Sequence, residues 1–255
     1  MRYLVPILSL LFLLCAASPA RADAKGDALL QKVEFKTNDF KGLKLKWTLT
    51  VKHKNRKHSK VKFNVITRPG GQRLVFMTYP GDIKGMTVLV QSKEEMYVYL
   101  PAFRKVRRIA GHVRNTGFQG SGFTYDDMAI SRWRAWYSAT LIQETATHYL
   151  LDLRLKPGKI AAYARLQIRV LKDIMHMDEM RFINKRGKKF KTQYFKQYVC
   201  RGGDKANHCN PRTVGMIEHT RGNLVSEMRM QGKIRYTGSL SDRIFTVRHL
   251  LRSAN

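Results

Sequence analysis
Residues whose types could do chemistry gather in four places along this chain. Asp126 and Asp127 form an acidic pair beside a glycine-rich run. Two carboxylates serve acid/base catalysis when both reach one bond. Adjacent residues point to opposite faces of a strand and diverge by about a quarter-turn on a helix, so these two are poor partners. His176-Met177-Asp178-Glu179 could offer a metal pair, but it lies in a stretch that reads as ordinary strand and solvated turn. Cys200 and Cys209 read first as a disulfide closing the polar, glycine-rich loop between them. The alternative is a metal site of Cys200, His208, Cys209 and His219; their spacing matches no common zinc pattern. The run at 117–122 lacks the Lys-Ser/Thr and the βαβ context of a phosphate loop. No catalytic constellation and no cofactor motif emerges, and a non-enzymatic protein is expected.

Any such groups must be positioned by the elements around them, and these begin with a targeting segment. Arg2, an apolar run over 4–17 and Ser18-Pro19-Ala20-Arg21-Ala22 read as a secretory signal peptide, residues 1–22, cleaved after Ala22. The run is shorter than the roughly 20 apolar residues a spanning helix needs. The remainder, 23–255, reads as one domain in an oxidising, extracytoplasmic compartment. The chain carries 48 basic and 18 acidic residues, a formal charge of +30; losing Arg2 and Arg21 leaves it at +28. Such an excess favours polyanions such as anionic lipid surfaces, lipopolysaccharide and nucleic acid. Basic clusters stand at 52–60, 104–108 and 185–189, but no helix-turn-helix, finger or RNA-recognition motif accompanies them, and nucleic acid is not an expected partner.

Leu29, Leu30 and Val33 predict a short amphipathic helix over 27–35. Leu43, Leu45, Trp47, Leu49 and Val51 then alternate with lysines and threonines, a half-buried strand with one basic face. Val61, Phe63 and Val65 repeat the pattern, and further strands follow at 74–79, 86–90 and 96–100. The segment 111–131 breaks the rhythm. Strands resume at 149–155, 164–171, 180–183, 189–199, 213–219 and 224–234, and the tail 240–251 shows helical spacing with Ser239 or Ser241 as N-cap. About ten short strands with turn signals between them predict an antiparallel sandwich or barrel.

Two stretches are more specific. One runs Ile83-Lys84-Gly85-Met86-Thr87-Val88-Leu89, then Met96-Tyr97-Val98-Tyr99-Leu100-Pro101-Ala102-Phe103-Arg104-Lys105-Val106-Arg107-Arg108-Ile109. The other is Phe118-Gln119-Gly120-Ser121-Gly122-Phe123-Thr124-Tyr125-Asp126-Asp127-Met128. Together they resemble the LolA-like outer membrane lipoprotein-sorting family, with Gly122 standing where that family usually carries an acidic residue. The resemblance implies a mainly β (α+β) fold: a strongly curved antiparallel sheet forming an incomplete barrel, with short helices covering the concave face. It further implies a periplasmic carrier or chaperone for the acyl chains of a lipid or lipoprotein, and an RND-type (resistance-nodulation-division) membrane transporter as partner.

On that picture Leu45, Trp47, Leu49, Phe63, Val65, Phe76 and Tyr99 are the expected cavity wall, and otherwise a plain dry core. Phe118, Gly120, Ser121, Phe123, Tyr125, Asp126 and Asp127 are expected at the cavity mouth, as a structural turn and helix start. The competing reading is a cationic envelope protein that binds anionic lipid A or glycan polymers at its surface without a cavity.

Overall fold
The computed structural model describes residues 23–55, 57–129, 131–201 and 208–252. The signal peptide expected at 1–22 lies outside them, as do 202–207 of the cysteine loop. Helix α1 (Ala24–Asn38) comes first, followed by β1 (Gly42–Lys52), β2 (Ser59–Thr67), β3 (Arg73–Tyr79), β4 (Thr87–Val90), β5 (Met96–Leu100) and β6 (Lys105–Arg108). The short helices α2 (Gly111–Arg114) and α3 (Tyr125–Ala129) interrupt the strands. Then come β7 (Tyr137–Glu144), β8 (His148–Leu155), β9 (Arg165–Leu171), β10 (His176–Ile183), β11 (Lys189–Arg201), β12 (His208–Glu218), β13 (Leu224–Thr237) and α4 (Val247–Arg252).

All thirteen strands join one antiparallel sheet, ordered β6-β5-β4-β3-β2-β1-β13-β12-β11-β10-β9-β8-β7. Among the described residues, β1 and β13 are the only sheet neighbours not consecutive in sequence. The sheet curves strongly, yet its ends β6 and β7 do not pair, so it stays an unclosed barrel. Two strands go beyond the sequence reading: β6, whose four residues are almost wholly charged, and β7.

Alternation along β1 sets the two faces. Leu43, Leu45, Trp47, Leu49 and Val51 are buried, while Lys44, Lys46 and Lys52 are exposed. Leu45, Trp47, Leu49 and Val51 join Phe63 and Val65 of β2, Val75 and Met77 of β3 and Leu166 and Ile168 of β9 in one large concave-side cluster. Leu29, Leu30 and Val33 of α1, at the predicted spacing, bury into the same cluster.

Helix α1 also caps the exposed edge of the sheet. An edge strand presents unpaired N–H groups that invite another chain. Here Asp27 Oδ1 accepts from the Ala139 N–H at 2.8 Å and Asp23 Oδ2 from the Leu141 N–H at 3.3 Å. Asp23 Oδ1 meanwhile caps the helix through the Lys25 N–H at 3.0 Å. The approach is close enough that a Cβ on Gly26 would stand 2.6 Å from the Ala139 carbonyl oxygen, which requires glycine there.

The tail forms a turn over Asp242–Phe245, capped by Ser241, and then α4. These cover the opposite face of the sheet, where Leu74, Leu89, Tyr99, Phe245 and Leu250 form a second cluster with Phe76 and Tyr97 against it.

The far end of α1 is tied down by buried histidines. His208 Nδ1 donates to the Lys36 carbonyl at 3.0 Å, and its Nε2 accepts from Asn210 Nδ2 at 2.7 Å. His176 Nδ1 donates to the Ile174 carbonyl at 2.7 Å, and its Nε2 accepts from the Cys209 N–H at 3.3 Å. Both rings need a lone pair on Nε2, so both are held neutral. Burial pushes each below its ordinary 6.5. The unfolded chain therefore takes up protons from about pH 6.5 downward while the folded chain resists them. Unfolding free energy should fall as pH drops from 7 to 5, the loss levelling off below the folded-state values. In H208N, denaturant titrations across that range should give a shallower pH slope; an unchanged slope would refute the assignment.

Candidate functional site
Between the concave face and the segments that cover it lies a cavity of about 300 Å³. Its walls are mainly apolar, with Leu45 and Trp47 from β1, Phe63 and Val65 from β2, Val75 from β3, Met180 and Phe182 from β10, Phe195 from β11, Val214 from β12 and Met228 from β13. Phe40, just beyond α1, and Phe118, Phe123 and Trp133 from the middle segment complete it. The volume falls at the lower end of the range typical of small-molecule sites, roughly 300–1,000 Å³.

Of the seven expected wall residues, Leu45, Trp47, Phe63 and Val65 line this space. Leu49 is buried in the concave cluster farther along β1, away from the cavity. Phe76 and Tyr99 need correcting: they face the other side of the sheet and pack in the cluster beneath the C-terminal tail. The reason is parity. In β3 the concave residues are Arg73, Val75 and Met77, and in β5 they are Met96, Val98 and Leu100, which sends Phe76 and Tyr99 outward.

The glycine-rich middle segment folds over the cavity as a compact plug. The Phe118 N–H donates to the Phe123 carbonyl at 2.6 Å, and Ser121 Oγ donates to the Phe118 carbonyl at 2.6 Å while accepting from the Phe123 N–H at 3.1 Å. Gly120, at φ +73°, supplies the left-handed turn. Helix α3 opens with a reciprocal cap: Asp127 Oδ2 accepts from the Thr124 N–H at 2.8 Å, and Thr124 Oγ1 accepts from the Asp127 N–H at 3.2 Å. Phe118 and Phe123 reach the cavity; Gly120, Ser121, Tyr125 and Asp126 do not line it. Tyr125 stacks edge-on against Phe118 at 5.5 Å. The Gly122 N–H donates to buried Ser226 Oγ of β13 at 3.0 Å, in place of any acidic side chain.

A buried ion pair, which sequence reading misses, fixes this plug to the sheet. Lys191 Nζ of β11 stands 2.7 Å from Asp127 Oδ2, with the two side chains only 4% and 5% exposed. Tyr163 completes it, donating from its hydroxyl to Asp127 Oδ1 at 3.0 Å and accepting from Lys191 Nζ at 3.0 Å. Burial drives the Tyr163 phenol far upward, so it stays a donor. Asp126 points elsewhere: its Oδ1 lies 3.8 Å from Arg114 Nε, and burial raises its carboxyl. The adjacent acids thus diverge, as their spacing requires.

Toward the opposite end of β11, Cys200 and Cys209 face one another directly across the β11–β12 ladder and are bridged, so their sulfurs are not free to hold a metal. His176 opens β10 and is buried, rather than standing in a solvated turn; Asp178 and Glu179 are engaged by Arg169 and Arg181. His219 is hydrogen-bonded to Thr192 at 2.9 Å and to Asn223 at 2.9 Å.

Curved open sheet, helical cover and apolar cavity define a LolA-like half-barrel. A domain from Vibrio parahaemolyticus named for outer membrane lipoprotein sorting superposes with TM-score 0.77 at 20% identity, over 89% of this chain and 99% of that one. A LolA superfamily protein from Nitrosomonas europaea matches with TM-score 0.71 at 15% identity, covering 88% and 98% of the two chains. A DUF1329 family protein from Desulfovibrio piger matches with TM-score 0.75 at 20% identity, covering 88% and 98%. No curated protein sequence matches the chain. A family model described as "uncharacterized protein" matches residues 70–252, and the chain belongs to that family.

Removing Lys191 leaves Asp127 as an unpaired buried charge, so K191M should lose about 3–5 kcal/mol of unfolding free energy. The double variant K191M/D127L should recover much of that loss. Urea titrations of both decide it: no recovery in the double variant would mean that Lys191 contributes through its stem packing and not through the pair.

Proposed function
We propose that this protein is a periplasmic carrier that shields an acyl chain of a lipid or lipoprotein inside the concave-face cavity. The observation that carries the reading is the cavity itself: a space of about 300 Å³, walled mainly by aromatic and aliphatic side chains, that the core leaves unfilled. Burying a chain there stabilises the complex by about 0.8 kcal/mol per methylene, and the task needs no bond-making chemistry. The signal-peptide reading of residues 1–22 supports the compartment. Among the described residues no helix is long and apolar enough to cross a membrane. The Vibrio domain, named for outer membrane lipoprotein sorting, supports the class of cargo.

A carrier must also meet the membranes that give and receive its cargo. Phe103 is 70% exposed at the turn between β5 and β6. Arg104, Lys105, Arg107 and Arg108 surround it in sequence, on and beside the edge strand β6. An exposed ring among cations suits an anionic bilayer, where each well-placed basic residue contributes about 1 kcal/mol. The same edge is where we place the contact with an RND-type transporter.

Protein purified from the periplasm and extracted with organic solvent should release acyl-bearing species detectable by mass spectrometry. The cavity-filling variants V65F and M228F should keep the fold by circular dichroism and lose most of that lipid. Lipid retained at full stoichiometry in both variants would overturn the cavity as its location. Separately, the protein should sediment with vesicles containing phosphatidylglycerol and not with pure phosphatidylcholine. The variant F103D/R107E/R108E should abolish that sedimentation, and undiminished sedimentation would move the docking surface elsewhere.

A further inference from the structure
One wall of the cavity is not apolar. Arg73 begins β3, opposite Thr67 of β2 and Val90 of β4, with the inward parity of Val75 and Met77. Its Nε donates to the Gly71 carbonyl at 3.3 Å, and among the described residues its guanidinium has no other hydrogen bond and no carboxylate partner. Arg68, by contrast, is engaged by Asp242. Arg73 thus presents its Nη donors, with no protein acceptor, in the wall of a greasy cavity. The Arg73 side chain is half-buried, and partial desolvation with no counter-charge beside it lowers the guanidinium's affinity for its proton, to about 10.

A second polar group lines the same cavity. Ser131 is 92% buried (8% exposed), and among the described residues its hydroxyl has no hydrogen-bond partner. Both groups converge on Gly71. Its carbonyl takes the Arg73 bond, and a Cβ built on it would lie 2.4 Å from Ser131 Oγ. Asn38 fixes the surroundings, donating to the Ser131 carbonyl at 3.2 Å and accepting from the Gly70 N–H at 3.4 Å. Exposed Arg132 adds a further cation: a Cβ on Gly70 would meet its Nη2 at 2.9 Å.

A planar fork of donors with a hydroxyl at its side matches an oxyanion held at two oxygens. We propose that Arg73 and Ser131 form a headgroup site within the cavity, so that the preferred cargo is a single-chain amphiphile with an anionic phosphate or carboxylate head. The assignment rests on the cavity being the acyl site. It adds that the head is recognised as well as the tail, with Arg73 as the charge that the ligand completes. The lining residues Leu43 and Val65, on the neighbouring strands β1 and β2, accept the first methylenes of the chain.

Isothermal titration of the full mature chain tests this with three lauroyl probes below their micellar concentrations: laurate, lauroyl lysophosphatidate and uncharged monolauroylglycerol. Salt at about 0.3 M screens the exposed cations more than it screens the half-buried Arg73. The wild-type chain should bind both anions at least about tenfold more tightly than the neutral ester, since hydrogen bonds to charged groups are the strong ones. R73Q should weaken the anions about ten- to a hundredfold and leave monolauroylglycerol within about twofold. R73K should keep part of the preference, and S131A should reduce it by several-fold, which general loss of fold would not do. Equal wild-type affinity for all three probes would overturn the headgroup site and leave the carrier reading intact, and so would an equal loss of all three in a folded R73Q. Inorganic phosphate binding as tightly as lysophosphatidate would also overturn it, because the chain would then play no part. If no probe binds, the cavity reading itself falls. Should R73Q not fold, the wild-type ranking of the three heads still decides.

Discussion
The cavity exists because the segment that covers it is held by a charge pair rather than by filling the space beneath. A plug can be attached to an apolar face most simply by packing side chains into it until no room remains. Here the attachment is made at one end, where Lys191 reaches up from β11 to Asp127 and Tyr163 joins them. Breaking either charge out of such a pair is costly, because the survivor is stranded in low dielectric. That cost locates the plug without demanding that Phe118 and Phe123 touch every residue of the wall opposite. At the other end of β11, roughly nine residues or 30 Å away along the strand, the disulfide and the two neutral histidines tie β10, β12 and the end of α1 together. The cavity lies between two fixed ends.

An open sheet has a second problem, its edges and its outer face. Closing the barrel would remove the edges but would fix the interior's width. This chain leaves it open and covers each liability locally. The carboxylates of Asp23 and Asp27 satisfy edge N–H groups of β7. The other edge, β6, is only four residues long and presents lysine and arginines, which discourages pairing with another strand. The tail helix α4 takes the outer apolar patch around Leu74, Leu89 and Tyr99. The concave cavity is left unfilled.

Much of this was legible in the residues. Nine alternating positions over 43–51 define the faces of β1 correctly, and the spacing of Leu29, Leu30 and Val33 places α1 on the core. Parity failed where both faces of a strand are covered. Residues 74–77, Leu-Val-Phe-Met, form a continuous apolar run, so nothing local says which of Val75 and Phe76 points inward, and the bulkier ring is the natural but wrong choice. Strand β7 hid for another reason. Its inward positions include Ala139, small because α1 packs so closely that Gly26 is needed opposite. Lys191 and Arg73 could not be found by type, since a lysine or arginine on a strand is expected to be wet. What marks them is position: inward parity, established only once the register of the sheet is known.

The same argument explains how a protein of such extreme charge can enclose a mainly apolar cavity. Nearly all of its cations stand on the outer faces of strands and in turns, where water screens them and where they can meet an anionic surface. Two cations at the interior, buried Lys191 and half-buried Arg73, differ in one respect. Lys191 already has its carboxylate, so its contribution is complete in the folded chain. Arg73 does not have one. Any anion that enters with an apolar tail binds the folded state and not the unfolded one, and so stabilises the fold by an amount that grows with its concentration over its dissociation constant. Binding at the proposed headgroup site and folding then pull in the same direction, which is what the proposed carrier role requires of a protein that holds its ligand until another surface offers a better site.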